Sequence, residues 1–409
     1  MSNFYVHRQV EKTLQTLIKQ FSAIALTGPR QSGKSTLLKN QFSGKYNYVT
    51  LDDLTIREQA LSDPRLFLDN IGDYVIIDEI QYAPQILSRI KIMIDENRQK
   101  KGYFIFTGSQ QFNMMKNPGD SLAGRVALLD LLPFSIEEKR LIPGRQKHLD
   151  TTVKCFIDNC LSGSFPEISV DKTIDTSVWY NSYLSTYLER DVRSTYNIEN
   201  LRDFQLFMRL LAGRCSQELN LSTLSKDLGV GITTIKRWVS ILEVSRIIYL
   251  LPPYYQNLGK RITKSPKVYF LDLGLVCHLV GIKSKDFLLK GPMAGALCEN
   301  FYILETIKLF FNNGKKPKLY YLRLRNTLEI DLIIEHDNME LSLLEIKLSK
   351  TPKASMAASI IKFMELFPKL NIKGRKILSL ADSSMEISKG VHFQGLDDYF
   401  TYLHLIVKT

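Results

Sequence analysis

The residues best placed to do chemistry lie near the amino terminus, in the run Gly28, Pro29, Arg30, Gln31, Ser32, Gly33, Lys34, Ser35, Thr36, a G-x4-G-K-S pattern. Glycines at these positions let successive backbone N–H groups turn inward on a phosphate chain at a helix N-terminus. In such a loop the lysine, Lys34, reaches the β- and γ-phosphates and the hydroxyl, Ser35, ligates Mg²⁺. The partner feature is an apolar run ending in two acids, Tyr74-Val-Ile-Ile-Asp78-Glu79. Asp78 is expected to orient the magnesium shell and Glu79 to polarise the attacking water, because in-line hydrolysis needs a base beside the metal. Thr107 and Ser109, in Phe106-Thr-Gly-Ser109-Gln110, are candidate sensors of the γ-phosphate or the water, with an ordinary turn as the plain alternative. Arg125 and Arg190 could supply transition-state charge, in cis or from a neighbouring subunit, or could form structural ion pairs.

A second constellation lies near the carboxyl end. Leu328-Glu-Ile-Asp331-Leu-Ile-Ile334 and Leu343-Leu-Glu345-Ile-Lys347-Leu348 read as two strands. The two-residue period puts Glu345 and Lys347 on one face. If a hairpin turns at Asn338, Asp331 lies opposite Glu345 and Glu329 opposite Lys347. Paired acids beside a lysine can hold Mg²⁺ and orient a water for phosphodiester cleavage. The pattern resembles the D…E-x-K core of restriction-type nucleases, with Glu299 as a candidate additional acid. The same residues could equally form plain cross-strand ion pairs.

The elements that must position these residues differ along the chain. Phe21–Leu26, Tyr46–Leu51, Tyr74–Ile77 and Tyr103–Thr107 read as strands. Helical patterns at Lys34–Gln41, Arg57–Asn70 and Gln85–Lys100 separate them. Alternation of this kind predicts a parallel sheet covered on both faces, whose strands read as continuous apolar runs. From about residue 150 helices dominate. Leu221–Gly231 followed by Ile232–Leu242 reads as helix, glycine-containing turn, helix, with Thr233, Thr234, Lys236 and Arg237 on the second helix. Lys260, Arg261, Lys264 and Lys267 could form a basic wing, and phosphate contacts there would give salt-dependent affinity. Packing between domains or subunits is the alternative use of such a unit. A Gly/Pro break, Gly291-Pro-Met-Ala-Gly295, introduces a final α/β segment.

GPRQSGKST, VIIDEIQYAP, FTGSQQF, SLAGR and SGSFPE occur in the order found in a group of bacterial and archaeal AAA-type ATPases with a C-terminal domain of unknown function. The resemblance continues through YLERDVR, LAGRCSQELNLSTLSKDLGV, NLGKRITKSPKVYFLDLGL, GALCEN and EID…EIK, and so covers most of the chain. Cys298 stands before Glu299 where the pattern leads one to expect a larger apolar or aromatic residue. The resemblance implies an α/β chain of three parts: a P-loop NTPase parallel-sheet domain (1–150), a helical region with a winged helix (151–290) and a restriction-endonuclease-like α/β domain (291–409). It also implies adenine as the base, since no guanine-reading N-K-x-D motif is evident.

The chain has 409 residues, 44% of them hydrophobic and 23% charged, which excludes a largely disordered or fibrous protein. A net charge of +12 permits an anionic partner such as DNA and says nothing about fold. Five irregularly spaced cysteines make neither a disulfide framework nor a zinc site, which suggests a reducing compartment. The amino terminus lacks the apolar core of a signal peptide, and no apolar run approaches the roughly 18 residues of a membrane span, so a cytoplasmic setting is expected. The expectation overall is a chain that hydrolyses ATP with Mg²⁺ to switch C-terminal domains. Those domains would bind nucleic acid or protein, with an ATP-gated DNA nuclease as the alternative and a homo-oligomer or protein partner left open.

Overall fold

The structure, a computed structural model, describes residues 4–108, 122, 124–193, 196, 198, 200–254, 265–324 and 327–408. Its contacts divide the chain into two compact units. One comprises residues 1–134 with 244–246 and 311–315; the other comprises 135–243, 247–310 and 316–409.

The first unit is built on five strands: β1 (Ala23–Thr27), β2 (Asn47–Thr50), β3 (Val75–Asp78), β4 (Phe104–Gly108) and β5 (Val126–Asp130). They form one parallel sheet in the order β2-β3-β4-β1-β5, so β4 lies between the strand before the glycine-rich loop and the strand ending in Asp78. The period of two sorts each strand onto two cores. Ala23, Ala25, Val75, Ile77, Phe104 and Phe106 pack on one side with Ile86, Ile90 and Ile94 of the helix Ile86–Glu96. Ile24, Leu26, Ile76 and Ile105 pack on the other with Leu37 and Leu38 of the helix Lys34–Phe42. Burial on both faces is why these runs are continuously apolar.

Two differences from expectation have local causes. The stretch read as one helix, Arg57–Asn70, is two: Leu54–Ser62 and Pro64–Ile71. Pro64 disfavours a helical residue before it, and Asp63 turns out at φ −140°, where its carboxylate accepts from the N–H groups of Arg65 and Leu66. The fifth strand, β5, is absent from the sequence reading although Val-Ala-Leu-Leu is as apolar as the central strands; it lies at the sheet edge, where its burial alternates.

The second unit begins as helices. Within it the helices Leu221–Leu228 and Ile232–Val244 are joined by a tight turn, where Gly229 ends the first helix at φ +69°. Ile235, Trp238, Val239 and Leu242 bury one face of the second helix, leaving Thr233, Lys236 and Arg237 exposed. An antiparallel pair follows, β6 (Ile248–Leu251) with β7 (Lys267–Phe270).

The remaining strands are β8 (Leu319–Leu324), β9 (Leu328–Glu335), β10 (Leu341–Lys347), β11 (Ile372–Ser379), β12 (Met385–Ser388) and β13 (Val391–Gln394). They form a mixed sheet in the order β12-β13-β11-β10-β9-β8. Helix Ala358–Leu366 covers one face through Ile360 and Phe363, packed on Ile333 and Leu343. Among the described residues no helix is long and apolar enough to cross a membrane.

Candidate functional site

The glycine-rich loop closes as the sequence requires. Gly33 sits at φ +94° as the helix begins, and Gly28 at φ +150°. A Cβ on Gly28 would lie 2.1 Å from the carbonyl oxygen of Leu131, so only glycine fits there. Arg8, a residue the sequence did not single out, fastens the loop from behind. Its guanidinium donates to the carbonyls of Ser32 at 2.8 Å and Leu132 at 2.6 Å, and it stacks on Phe134. Lys34 is buried, with its ammonium donating to the carbonyls of Gly28 (3.0 Å) and Pro29 (2.9 Å). Arg30 donates to Tyr82 Oη at 3.2 Å, Gln31 adopts φ +59°, and Ser32 is fully buried with its hydroxyl unpartnered. Thr36 occupies the first turn of the helix, beside Ser35.

Three hydroxyls converge on Asp78. Ser35 Oγ donates to Asp78 Oδ2 at 2.9 Å, Tyr48 Oη donates to the same oxygen, and Thr107 Oγ1 donates to Oδ1. Burial and the neighbouring Asp78 push the Tyr48 phenol well above its ordinary range, so it remains a donor. Thr107 also accepts from the backbone N–H of Glu79 at 3.1 Å. Glu79 is held at φ +59°, ψ +46°, a conformation costly for a non-glycine residue, and its carboxylate accepts from Gln81 Nε2. The donor set suits Mg²⁺: a hydroxyl and a carboxylate in contact, both hard oxygens, at the start of the helix that follows the phosphate loop. Lys34, Ser35, Asp78 and Glu79 are therefore brought together, and Thr107 joins them. Tyr48 carried no motif signal; only the β2–β3 pairing, which sets Tyr48 beside Ile76, could have revealed it.

The arginines fare differently. Arg125 precedes β5, at the amino edge of the sheet, whereas the phosphate loop follows β1 at the carboxyl edge. Arg125 makes a two-pronged pair with Asp95, Nε to Oδ1 at 2.8 Å and Nη2 to Oδ2 at 3.0 Å. It stands a full strand length from the loop of its own chain, and it forms the structural ion pair that was one of its two readings. Arg190 lies on a π-helical segment, Tyr187–Arg193, and its side chain falls outside the described residues, as do Ser109, Lys260, Arg261 and Lys264.

In the second unit the β9–β10 register matches expectation. Leu341 pairs with Glu335 and Leu344 with Leu332, a register that carries Asp331 to Glu345. There the ladder gives way to a side chain, and the N–H of Ile346 donates to Asp331 Oδ2 at 2.8 Å. Glu345 Oε2 accepts from Lys347 at 2.7 Å. Glu299, on the helix Ala294–Asn312, accepts through Oε1 from Lys267 (3.1 Å) and Tyr269 (2.5 Å). Lys267 also pairs with Glu329 at 2.9 Å. Its expected place on an exposed basic wing is thus corrected: it is a buried partner of these acids. An isolated lysine in the otherwise apolar strand Lys267-Val-Tyr-Phe was the available signal.

A nuclease's Mg²⁺ does not fit this arrangement. The carboxylate oxygens are largely taken by ammonium, phenol and amide donors, and among the described residues no three acids, histidines or cysteines are placed to hold a metal ion.

Burial, with the charge of Asp331 adding to it, pushes the Glu299 carboxyl up to about 7 against the pull of Lys267. The same two causes push Glu345 up to about 8 against the pull of Lys347. Both exceed the ordinary glutamate value, so the folded chain holds protons that the unfolded chain has released. The stability these groups contribute is complete below the ordinary glutamate range and is lost as pH rises through their folded values. We expect the melting temperature of the second unit to fall between about pH 5 and pH 8, and Glu345→Gln to flatten that slope. Parallel curves for wild type and variant would refute the assignment.

A strand, a glycine-rich loop and a helix that close on the acid-ended strand two places away define a P-loop nucleotide-binding domain. Residues 20–139 match the family described as AAA domain, residues 294–399 a domain of unknown function (DUF4143), and residues 154–286 another (DUF8612). The chain thus carries an AAA-type P-loop domain over residues 20–139 and a DUF4143 domain over residues 294–399. It is 28% identical over 350 residues to Uncharacterized protein Rv2008c of Mycobacterium tuberculosis, covering 85% of this chain and 75% of that protein. Uncharacterized protein Mb2031c of Mycobacterium bovis matches at the same identity and coverage. Among solved structures the Walker-type ATPase PABY2304 of Pyrococcus abyssi aligns at TM-score 0.41 and 13% identity, over 66% of this chain and 94% of that one.

Proposed function

We propose that this chain hydrolyses ATP with Mg²⁺ and uses the turnover to switch downstream domains that bind nucleic acid or protein. The observation that carries the reading is the contact of Ser35 Oγ with Asp78 Oδ2, with Glu79 fixed beside it through Thr107. Bound Mg²⁺ would supply charge to the phosphates. Ser35 and Asp78 would hold it, Lys34 would exchange its two carbonyl partners for phosphate oxygens, and Glu79 would accept the proton of the attacking water. Mg²⁺-dependent release of phosphate from ATP, measured with and without DNA, tests the reading. No turnover under either condition would sink it.

For the nucleic-acid branch, the exposed Lys236 and Arg237 of the helix-turn-helix support a DNA contact. DNA affinity is expected to fall steeply with salt. Lys236→Ala and Arg237→Ala should each lower the slope of log affinity against log salt by about 1, uniformly across sequences. A slope unchanged in both variants would favour a protein partner instead.

The nuclease alternative has the pairing of Asp331 with Glu345 in its favour and the ion pairs of Lys267 and Lys347 against it. A gel for DNA cleavage on the same samples decides. Metal-dependent cleavage lost in Asp331→Ala would establish it.

A further inference from the structure

The second helix of the helix-turn-helix, Ile232–Val244, ends on an arginine where a glycine is usual. The N–H of Ile247 donates to the carbonyl of Leu242 at 2.9 Å, and Arg246 turns left-handed within that closure at φ +57°. The helices Leu221–Leu228 and Leu273–Val280 close in the same way, Val230 on Ser225 and Ile282 on Cys277, and there the left-handed residue is a glycine, Gly229 or Gly281. Glycine suits the position because a Cβ is penalised in that conformation. An arginine there carries a backbone cost that its side chain must offset.

That side chain reaches the end of β5. Arg246 Nε donates to Asp130 Oδ1 at 3.1 Å and Nη2 to Oδ2 at 2.8 Å, and the guanidinium lies over the ring of Phe311. Residues 244–246 and Phe311 belong to the first unit, although the helix that Arg246 closes begins in the second. Asp130 Oδ1 also accepts from Thr27 Oγ1 at 2.7 Å. Thr27 is the last residue of β1 and immediately precedes Gly28. One carboxylate oxygen is therefore shared by the residue that enters the phosphate loop and the residue that closes the helix.

We propose that Arg246 is a positioning residue that couples nucleotide at the phosphate loop to the end of the helix Ile232–Val244, through Asp130 and Thr27. The inference deepens the reading above and rests on its nucleotide binding. Lys34 holds the carbonyls of Gly28 and Pro29. When phosphate takes its ammonium, the start of the loop is released and Thr27 slackens its hold on Oδ1. Arg246 then has that oxygen without a competitor, the charge-assisted pair strengthens, and the helix end tightens. By linkage, the same bias acts in reverse on nucleotide affinity.

The test is hydrogen exchange of the segment 232–247 in the full chain, with and without Mg²⁺ and the β,γ-imido analogue of ATP, with analogue binding followed by calorimetry on the same samples. In wild type the analogue should slow exchange by at least about fivefold, the lower end of ordinary coupling between sites. Arg246→Gly keeps the left-handed closure and should bind the analogue without that slowing. A wild type that binds the analogue with no slowing would overturn the proposal, as would an Arg246→Gly chain that slows like wild type. So would an Arg246→Gly segment that exchanges freely in both states, because the arginine would then be a brace alone.

If Arg246→Gly does not fold because Asp130 is left unpaired, Asp130→Asn combined with Arg246→Gly removes the stranded charge, and the same comparison decides. A wild type that takes up no analogue overturns this coupling and the nucleotide reading together. A wild type that slows with the analogue but releases no phosphate from ATP loses the hydrolysis and keeps the coupling.

Discussion

Glu79→Gln should abolish steady-state ATP hydrolysis while leaving ATP binding intact. Glutamine keeps the length and shape of the side chain, so the backbone hydrogen bond from residue 79 to Thr107 and the left-handed conformation that aims the side chain should survive. What disappears is the ability to accept a proton. A positioned general base contributes about 10²–10⁴-fold, so turnover should fall by at least about 100-fold. Hydrolysis and equilibrium binding of ATP measured on the same preparation check both halves. Turnover above one-tenth of wild type would mean that another group activates the water. The carboxylate also accepts from Gln81, so the resting glutamate is partnered and must exchange that donor for water as catalysis proceeds.

The second large effect is expected from Gly28→Ala. The new methyl would lie 2.1 Å from the Leu131 carbonyl oxygen and 3.0 Å from its carbon. That carbonyl cannot yield easily, because the N–H of Leu131 is fixed to the carbonyl of Thr27 at 2.7 Å, locking the ends of β1 and β5 together. The loop itself must therefore move. Overpacking of this kind costs about 1–3 kcal/mol, and the positive φ adds to it. ATP affinity should drop by at least tenfold, since about 1.4 kcal/mol suffices for that. Gly44→Ala is the control: it too has positive φ, +73°, but meets nothing within 4 Å, and should cost only about 1–2 kcal/mol without loss of nucleotide affinity. Equal loss of ATP affinity in both variants would show that backbone conformation, not the Leu131 contact, is decisive.

The nucleotide site was legible in the sequence because its chemistry is local. Loop, lysine and hydroxyl follow one another between Gly28 and Ser35, and Asp78 and Glu79 end an apolar run that can only be a buried strand. Tyr48 and Arg8 were not legible, because each reaches the site from an element whose neighbour is set by sheet order or by loop packing. The pairing of Asp331 with Glu345 was legible for the same reason as the loop, a short hairpin with a fixed period. Lys267 was misplaced because net charge and proximity to other basic residues suggest an exposed face, whereas the three acids around it come from elements about 30 to 65 residues further on. Arg125 was legible only as an open choice between transition-state charge and a structural ion pair, because a lone arginine near catalytic motifs reads both ways until the strand direction places it at the amino end of the sheet.

The interposed strand β4 also acts as a ruler. Neighbouring strands lie about 4.8 Å apart, so a strand between β1 and β3 sets their axes about 9–10 Å from each other. Side-by-side placement would press Glu79 against the phosphates and leave no slot for a nucleophile. One strand of stand-off keeps the strand that carries Glu79 off the strand that enters the phosphate loop, and Thr107 lies at the end of the spacer strand, touching both acids. Phe106→Ala, which opens a cavity on the face of the sheet beside Thr107, should therefore alter the rate of hydrolysis more than the affinity for ATP.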